Sequence, residues 1–425
     1  MTLVISKDLS NSFKELRENL VSDKMLALTL LVSALGYFVD IFDLLLFSIV
    51  RVQSLKDIGV SEAALLPVGI HLLNAQMAGL LLGGLFWGII SDKYGRVSVL
   101  FASILLYSLG SIANGFVSSV GPYAFLRFVT GFGLAGELGI CVTLVSELLP
   151  KSLRGLGTAF IATVGVLGAT VAALVADFLD WRTAYIVGGI MGLALLALRL
   201  RLRESSLYRK TEQHAERSTR GNIMMILRDK ILLKRYISVI MTGMPIWAIV
   251  GILITFTPEF GKDFGMTALP TTGKAVFYSY LGFAFGDMFS GILSQYLRSR
   301  KKSIAISLAL LVLVSVLFAT LRLDSLPFYY GLCFALGFAS GYWAMFVQTG
   351  AEQFGTNLRA TAATSIPNFV RGLTIPLAAS FHALIPYLGI TEAGFAVVMG
   401  AIIVAFVALY HLRETFHADL DYIEK

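Results

Sequence analysis

Long apolar runs separated by short polar breaks fill the 425-residue chain. Twelve stretches are mostly apolar over about 18 residues or more, near 25–50, 66–90, 98–118, 122–149, 156–178, 183–200, 236–257, 272–296, 303–321, 327–350, 361–387 and 390–411. Each is long enough to cross a hydrocarbon core of about 30 Å. Backbone polar groups in lipid have to be satisfied within their own segment, so the runs predict helices. The expected fold is all-α: a polytopic membrane protein with twelve transmembrane helices. The first run is too long and too acidic for a cleaved signal sequence and reads as the first span.

The pattern repeats. Gly83-Gly-Leu-Phe-Trp-Gly88-Ile-Ile-Ser-Asp92 aligns with Gly286-Asp-Met-Phe-Ser-Gly291-Ile-Leu-Ser-Gln295 at an offset of 203, with five of ten positions identical. Glu147-Leu-Leu-Pro-Lys-Ser-Leu-Arg154 aligns with Glu352-Gln-Phe-Gly-Thr-Asn-Leu-Arg359 at an offset of 205. Two matches at nearly one offset, in corresponding spans, argue for a duplicated six-helix unit and two pseudo-symmetric bundles. The expected organisation is an N-terminal segment 1–24, a first bundle 25–200, a central loop 201–235, a second bundle 236–412 and a tail 413–425. Leu9, Phe13, Leu16 and Leu20 recur at helical spacing ahead of the first span. Ile223, Met224, Ile226, Leu227 and Ile231 do so in the central loop, and both sets predict short helices lying on the membrane surface.

Composition supports lipid as the solvent. Apolar residues make up 56% of the chain and charged residues 14%, with mean hydropathy +0.78; a soluble domain carries about 25% charged residues. The net charge of +7 does not read as a nucleic-acid footprint, because it is sorted by side. Loops on the N-terminal side hold 26 of the 34 Lys and Arg, and loops on the other side hold Arg51, Lys56, Arg182, Lys262, Lys274 and Arg322. Basic short loops stay cytoplasmic, so both termini are expected on the cytoplasmic side of the cell membrane. Cys141 and Cys333 lie in different halves, and the five histidines are scattered. No metal, cofactor or catalytic constellation is readable, and an enzyme is not expected.

Charges inside spans cost at least about 2.5 kcal/mol each and ordinarily serve function. Asp40 and Asp43 lie three residues apart in the first span, toward one helix face. Arg127 and Glu137 lie in the fourth span, Asp287 in the eighth, and Arg371 in the eleventh with Asn368 one turn earlier. At 1.5 Å per residue, Asp43 and Asp40 lie about 10 and 15 Å below the outer face, Arg127 about 8 Å and Glu137 about 22 Å. Arg371 lies about 15 Å from the inner face. An aspartate pairing with Arg127 is therefore possible, for coupling or for structure alone. Arg371 can bind an anionic solute or pair with Glu137, which could equally serve packing around Gly133 and Gly136. Asp287 reads as a gate or packing residue. Asn74, His71, Tyr278, Tyr342 and Trp343 are further cavity-lining candidates.

Between the second and third spans stands Gly88-Ile-Ile-Ser-Asp92-Lys93-Tyr-Gly95-Arg96. This turn resembles the signature of the major facilitator superfamily of transporters. Arg127-x-x-x-Gly131-x-Gly133, Gly136-Glu137-x-Gly139 and Glu147-x-x-Pro150-x-x-x-Arg154-Gly155 resemble its sugar and metabolite proton symporters. Asp40-x-x-Asp43 is similar to the acidic Asp-Gly-x-Asp motif of aromatic-acid and sialic-acid symporters, although Ile41 replaces the glycine. Arg203-Glu204-Ser205-Ser206 echoes the family's Glu-Ser-Pro without its proline. The fifth span lacks the Gly-Pro motif of proton-coupled drug exporters.

The resemblance implies two six-helix halves rocking about a midplane site. It implies proton coupling through Asp40, Asp43, Arg127 and Glu137. It also implies a cytoplasmic gate of Gly88, Asp92, Lys93, Gly95, Arg96, Glu147, Arg154, Glu352 and Arg359. The expected function is proton-coupled symport of a small polar or anionic metabolite by a monomer in the bilayer, with protons and the solute as its partners. The alternatives are an exporter or uniporter of the same fold, or a transporter-like receptor without flux.

Overall fold

The computed structural model describes residues 24–149, 154–199, 223–321, 325–355, 357–416 and 424. Among them, twelve helices are long and apolar enough to cross a membrane. Spans 1 to 6 are Leu26–Asp57, Glu62–Ser91, Val97–Asn114, Val120–Val142, Phe160–Phe178 and Trp181–Arg199. Spans 7 to 12 are Lys230–Ile254, Thr272–Leu297, Arg300–Thr320, Leu326–Glu352, Thr361–Leu388 and Ile390–His411. They match the twelve apolar runs one for one, but several overrun them. Span 1 continues through Arg51 to Asp57, because Arg51 is fully buried and paired instead of lying in an outer loop. Of the two expected surface helices, the one at Leu9–Leu20 lies outside the described residues. The other is the helix Ile223–Arg228, with Ile226 buried and Met224 and Leu227 exposed.

The duplication is visible in how glycines seat neighbouring helices. A side chain at Gly83 would collide with the Phe132 carbonyl of span 4, and one at Gly286 with the Phe338 carbonyl of span 10. Gly79 and Gly282 do the same one turn away, against Phe128 and Phe334. Small residues thus bring spans 2 and 4, and spans 8 and 10, into backbone contact at equivalent places.

Both halves also carry a broken helix. Span 4 interrupts at Ala135–Gly136 and restarts at Glu137. Span 10 interrupts at Gly341–Tyr342 and restarts at Trp343. Span 7 contains Pro245, which has no N–H to donate, and passes into a π-helical segment over Ile249–Ile254. Span 11 is interrupted for one residue at Leu373, between the helices Arg359–Gly372 and Thr374–Leu388. Irregular backbone at membrane depth is tolerated where it is buried in protein.

Candidate functional site

The halves meet around a buried ion pair. Arg371 of span 11 donates from Nη2 to Asp40 Oδ2 of span 1 at 3.3 Å, and both side chains are almost wholly inaccessible. The guanidinium carbon lies 5.8 Å from the Trp247 ring and 5.9 Å from the Trp343 ring. Nη1 reaches Asn368 Oδ1 at 3.4 Å. The other Asp40 oxygen and Arg371 Nε make no hydrogen bond. Beside the pair is a cavity of about 10 Å³ lined by Tyr37, Ile41, Val166, Ile246, Trp247, Tyr280, Phe283 and Trp343. That is room for about one water molecule. The cluster is therefore an aromatic box with one fixed cation and one acid, drawn from opposite halves.

The two aspartates do not share a partner. Asp43 turns into the N-terminal half, where its Oδ1 accepts from Ser111 Oγ of span 3 at 2.6 Å. Arg127 forms no ion pair with either carboxylate. Its Nη2 donates to the backbone oxygen of Asp43 at 3.4 Å, and its guanidinium lies between the rings of Phe47 and Tyr185 at 5.6 and 5.5 Å. The similar depths of Asp43 and Arg127 were legible, but three residues turn a helix by about 300°, which leaves the two side chains about 60° apart. That rotation is enough to aim Asp40 at the interface and Asp43 into the bundle.

Glu137 does not pair with Arg371. Arg199, at the end of span 6, holds it with both terminal nitrogens, Nη1 to Oε2 at 3.2 Å and Nη2 to Oε1. Cys141 Sγ sits 3.4 Å from Glu137 Oε1 and from Arg199 Nη2. A side chain at Gly36 of span 1 would strike both members of the pair. Arg199 lies at the end of its apolar run, where an arginine ordinarily reaches water, and this concealed the partner.

Asn368 does more than flank Arg371. Its Nδ2 donates to the Ala135 carbonyl at the break of span 4, 2.8 Å away, and so bridges the halves. On the same side of the pair, a side chain at Gly84 would meet Asn368, one at Gly139 would meet Thr364, and one at Gly88 would lie 3.5 Å from Thr361. Spans 2 and 4 are thus pressed against span 11. Gly95 has φ +99° and ends span 2, allowing the tight reversal into span 3. Lys93 is exposed and Arg359 half-buried. The side chains of Asp92, Arg96, Glu147 and Arg154 lie outside the described ones. Glu352 is tied within its own half, to Arg300 at 3.6 Å, Gln348 at 2.8 Å and Thr415 at 2.7 Å.

Beyond the pair, toward the opposite face, Arg51 of span 1 donates to Glu259 at 2.9 Å, beyond the end of span 7, and lies 5.0 Å from the Phe256 ring. Ser48 and Thr255 approach to 3.5 Å beside it. The central cluster is consequently covered from both faces. The remaining candidates divide. Tyr342 is buried in the break of span 10 and donates to the Thr242 carbonyl at 3.0 Å. Asn74 is half-buried, with its Oδ1 unpartnered. His71 is exposed, and Tyr278 stacks on Tyr330 in a separate flank cavity of about 480 Å³ with Asp177 and Lys274. Neither reaches the cluster, because Tyr278 is only six residues from the start of span 8, about 9 Å along it. Tyr37, Trp247 and Tyr280 were missed. Tyr37 had a signal, lying one turn before Asp40.

Twelve spans, a duplicated architecture and a closed, buried cluster between two halves define a membrane carrier. The Major Facilitator Superfamily model matches residues 26–379, and the chain belongs to that family of transporters. It is 25% identical over 384 residues to the sialic acid transporter NanX of Escherichia coli, covering 88% of this chain and 91% of that one. It is 29% identical over 203 residues to the 4-hydroxybenzoate transporter PcaK of Pseudomonas aeruginosa, covering 47% and 44%. The solved structure of the proton:xylose symporter XylE superposes with a TM-score of 0.72 at 15% identity, over 93% of this chain and 98% of that one. At that identity the likeness speaks for the fold alone.

Proposed function

We propose that this transporter carries a small organic acid together with a proton, and that the Asp40–Arg371 pair couples the two. The observation that carries the reading is the pair itself, closed across the two halves in a nearly solvent-free box. Arg371 stays charged, and its planar fork matches a carboxylate. While Asp40 is ionised it occupies that fork. A proton on Asp40 withdraws the competing charge, so the guanidinium can accept the solute's carboxylate. Loss of both the solute and the proton restores the closed pair. The aromatic rings around Arg371 suit a planar or ring-bearing acid. Both named relatives transport acids, one aromatic and one a sugar acid, which supports the class of solute.

Alternating access then follows from contacts that differ between states. Asn368–Ala135 and the Gly84, Gly88 and Gly139 contacts close one face, and Arg51–Glu259 closes the other. The distribution of Lys and Arg supports a cytoplasmic side for the face of spans 2, 4 and 11, together with both termini. The turn holding Asp92, Lys93 and Arg96 then latches that face together with Glu147, Arg154 and Arg359. Asp43 and Arg127 support the outer half of span 1, and Glu137 supports the inner part of the same bundle.

The test is uptake into proteoliposomes with 4-hydroxybenzoate and sialic acid as probes, with and without an inward proton gradient. A gradient should drive accumulation of at least one acid. Asp40→Asn should reduce the accumulation ratio to about one while leaving exchange between preloaded and external solute. Gradient-driven accumulation by Asp40→Asn would overturn the coupling assignment.

A further inference from the structure

Asp287 is buried in span 8, yet it belongs to neither half of the Asp40–Arg371 pair. By sequence register it stands where the N-terminal half has Gly84. Its surroundings give it a task. Span 10 stops at Ser340, passes through Gly341 (φ −74°, ψ 54°) and Tyr342 (φ −118°, ψ 17°), and restarts at Trp343. The restarted helix needs acceptors for its first N–H groups, and Tyr342 offers no side-chain cap. Asp287 supplies one from another helix: its Oδ1 accepts from the Ala344 N–H at 2.9 Å. The two backbones are pressed together here, since a Cβ at Gly341 would lie 2.5 Å from the Asp287 nitrogen. A carboxylate at a helix start is also favoured by the helix dipole. The first residue of the capped helix is Trp343, which lies beside Arg371 and lines the central cavity.

We infer that Asp287 is a positioning residue for the solute site: it caps the second half of span 10 and thereby fixes Trp343 against Arg371. Asp287 does not touch the solute and does not carry the transported proton. This rests on the reading of the Arg371 cluster as the solute site, but half of its test does not.

Asp287→Leu removes the acceptor, while Asp287→Asn keeps one, because asparagine caps helices about as well as aspartate. The chain has four tryptophans, and Trp343 emission is isolated by subtracting the spectrum of the Trp343→Phe protein on the same background. Asp287→Leu should shift the Trp343 emission and raise its acrylamide quenching, and Asp287→Asn should restore both toward the parent. In exchange assays with 4-hydroxybenzoate, Asp287→Leu should raise KM roughly tenfold, the scale of one lost buried hydrogen bond. Asp287→Asn should recover most of that loss, and gradient-driven accumulation should persist in it. Should Asp287→Leu fail to reach the membrane, Asp287→Ala gives the same comparison with less bulk.

Unchanged Trp343 emission in Asp287→Leu or Asp287→Ala overturns the inference, as does Asp287→Asn failing as badly as they do. Exchange without accumulation in Asp287→Asn would make Asp287 a proton carrier and overturn it equally. If the parent carries neither 4-hydroxybenzoate nor sialic acid, the solute reading is at fault, and the fluorescence comparison still decides the positioning claim.

Discussion

Two buried arginine–carboxylate pairs lie at the heart of this transporter, and they differ in what they join. Glu137 and Arg199 both belong to the N-terminal half, and Arg199 grips the carboxylate with two nitrogens. Asp40 and Arg371 belong to opposite halves and meet through a single contact of 3.3 Å, with one oxygen of Asp40 unpartnered. A pair within one rigid bundle keeps its geometry when the bundles rock, so it can serve only the bundle. On the proposed rocking mechanism, a pair across the interface has a different energy in each state, and only such a contact can bias the states. Burial and charge are alike in the two; the helices they connect separate scaffold from switch.

The difference can be broken most severely from the scaffold side. Glu137→Ala leaves Arg199 as an uncompensated buried charge and should destabilise the protein by about 3–5 kcal/mol. The thermal midpoint and the membrane yield would report this. Replacing both residues by apolar side chains, Glu137→Leu with Arg199→Met, should recover most of the loss. A Glu137→Ala protein that melts like the parent would show that the pair is not scaffolding.

Arg371→Lys tests the switch. It keeps the charge and loses the fork, so solute affinity should fall roughly tenfold, with a smaller change in stability than Glu137→Ala. Equilibrium binding and thermal melting on the same preparation separate the two effects. Affinity equal to the parent's would show that the fork does not hold the solute.

A third pair, Arg51–Glu259, also crosses the halves, but Glu259 is partly exposed. Glu259→Gln should therefore loosen only the face it covers, raising the labelling rate of a cysteine introduced as Ser48→Cys by about fivefold, for a contact worth about 1 kcal/mol. An unchanged rate would make the pair a static tie.

The smallest effect is expected at Glu414, a contact within the C-terminal half and beyond span 12. Burial raises the proton affinity of its carboxyl, but hydrogen bonds from Ser299 and from the N–H groups of Arg300, Phe416 and Lys301 outweigh that and hold it below the usual carboxylate range. A carboxyl whose pKa is lower in the folded state stabilises fully above its unfolded value and loses that contribution as pH falls through the folded one. Melting of the parent should thus decline with acid more than melting of Glu414→Gln, while the proton-gradient dependence of uptake stays the same in both. Equal acid sensitivity would remove Glu414 from the account.

The twelve spans were legible because each buries its own backbone, a local property that hydropathy reports directly. The duplication was legible for the same reason, through the glycines at 83 and 286 and at 88 and 291. Asp40, Arg127, Glu137 and Arg371 stood out as charges in apolar runs, but their pairings did not. Depth along a helix can be counted from sequence, whereas rotation about its axis and the choice of neighbour are set by packing. Arg51 and Arg199 were concealed by a boundary effect: each lies at the end of an apolar run, where an arginine ordinarily reaches water. The restart of span 10 at Trp343 was invisible because its cap arrives from span 8, 57 residues earlier in the chain.

The closed pair of Asp40 and Arg371 has one more consequence, an electrical one. Empty, the central cluster holds one negative and one positive charge that cancel. Loaded in the proposed way, it holds a neutral acid at Asp40, the guanidinium and a monovalent solute anion, which cancel again. Moving an elementary charge through a membrane potential is worth about 2.3 kcal/mol per 100 mV, and neither the empty nor the loaded cluster carries one through. A carrier of this kind feels the proton gradient but not the voltage. A monovalent acid would be gathered up to the ratio of proton concentrations across the membrane, whatever the polarisation of the cell.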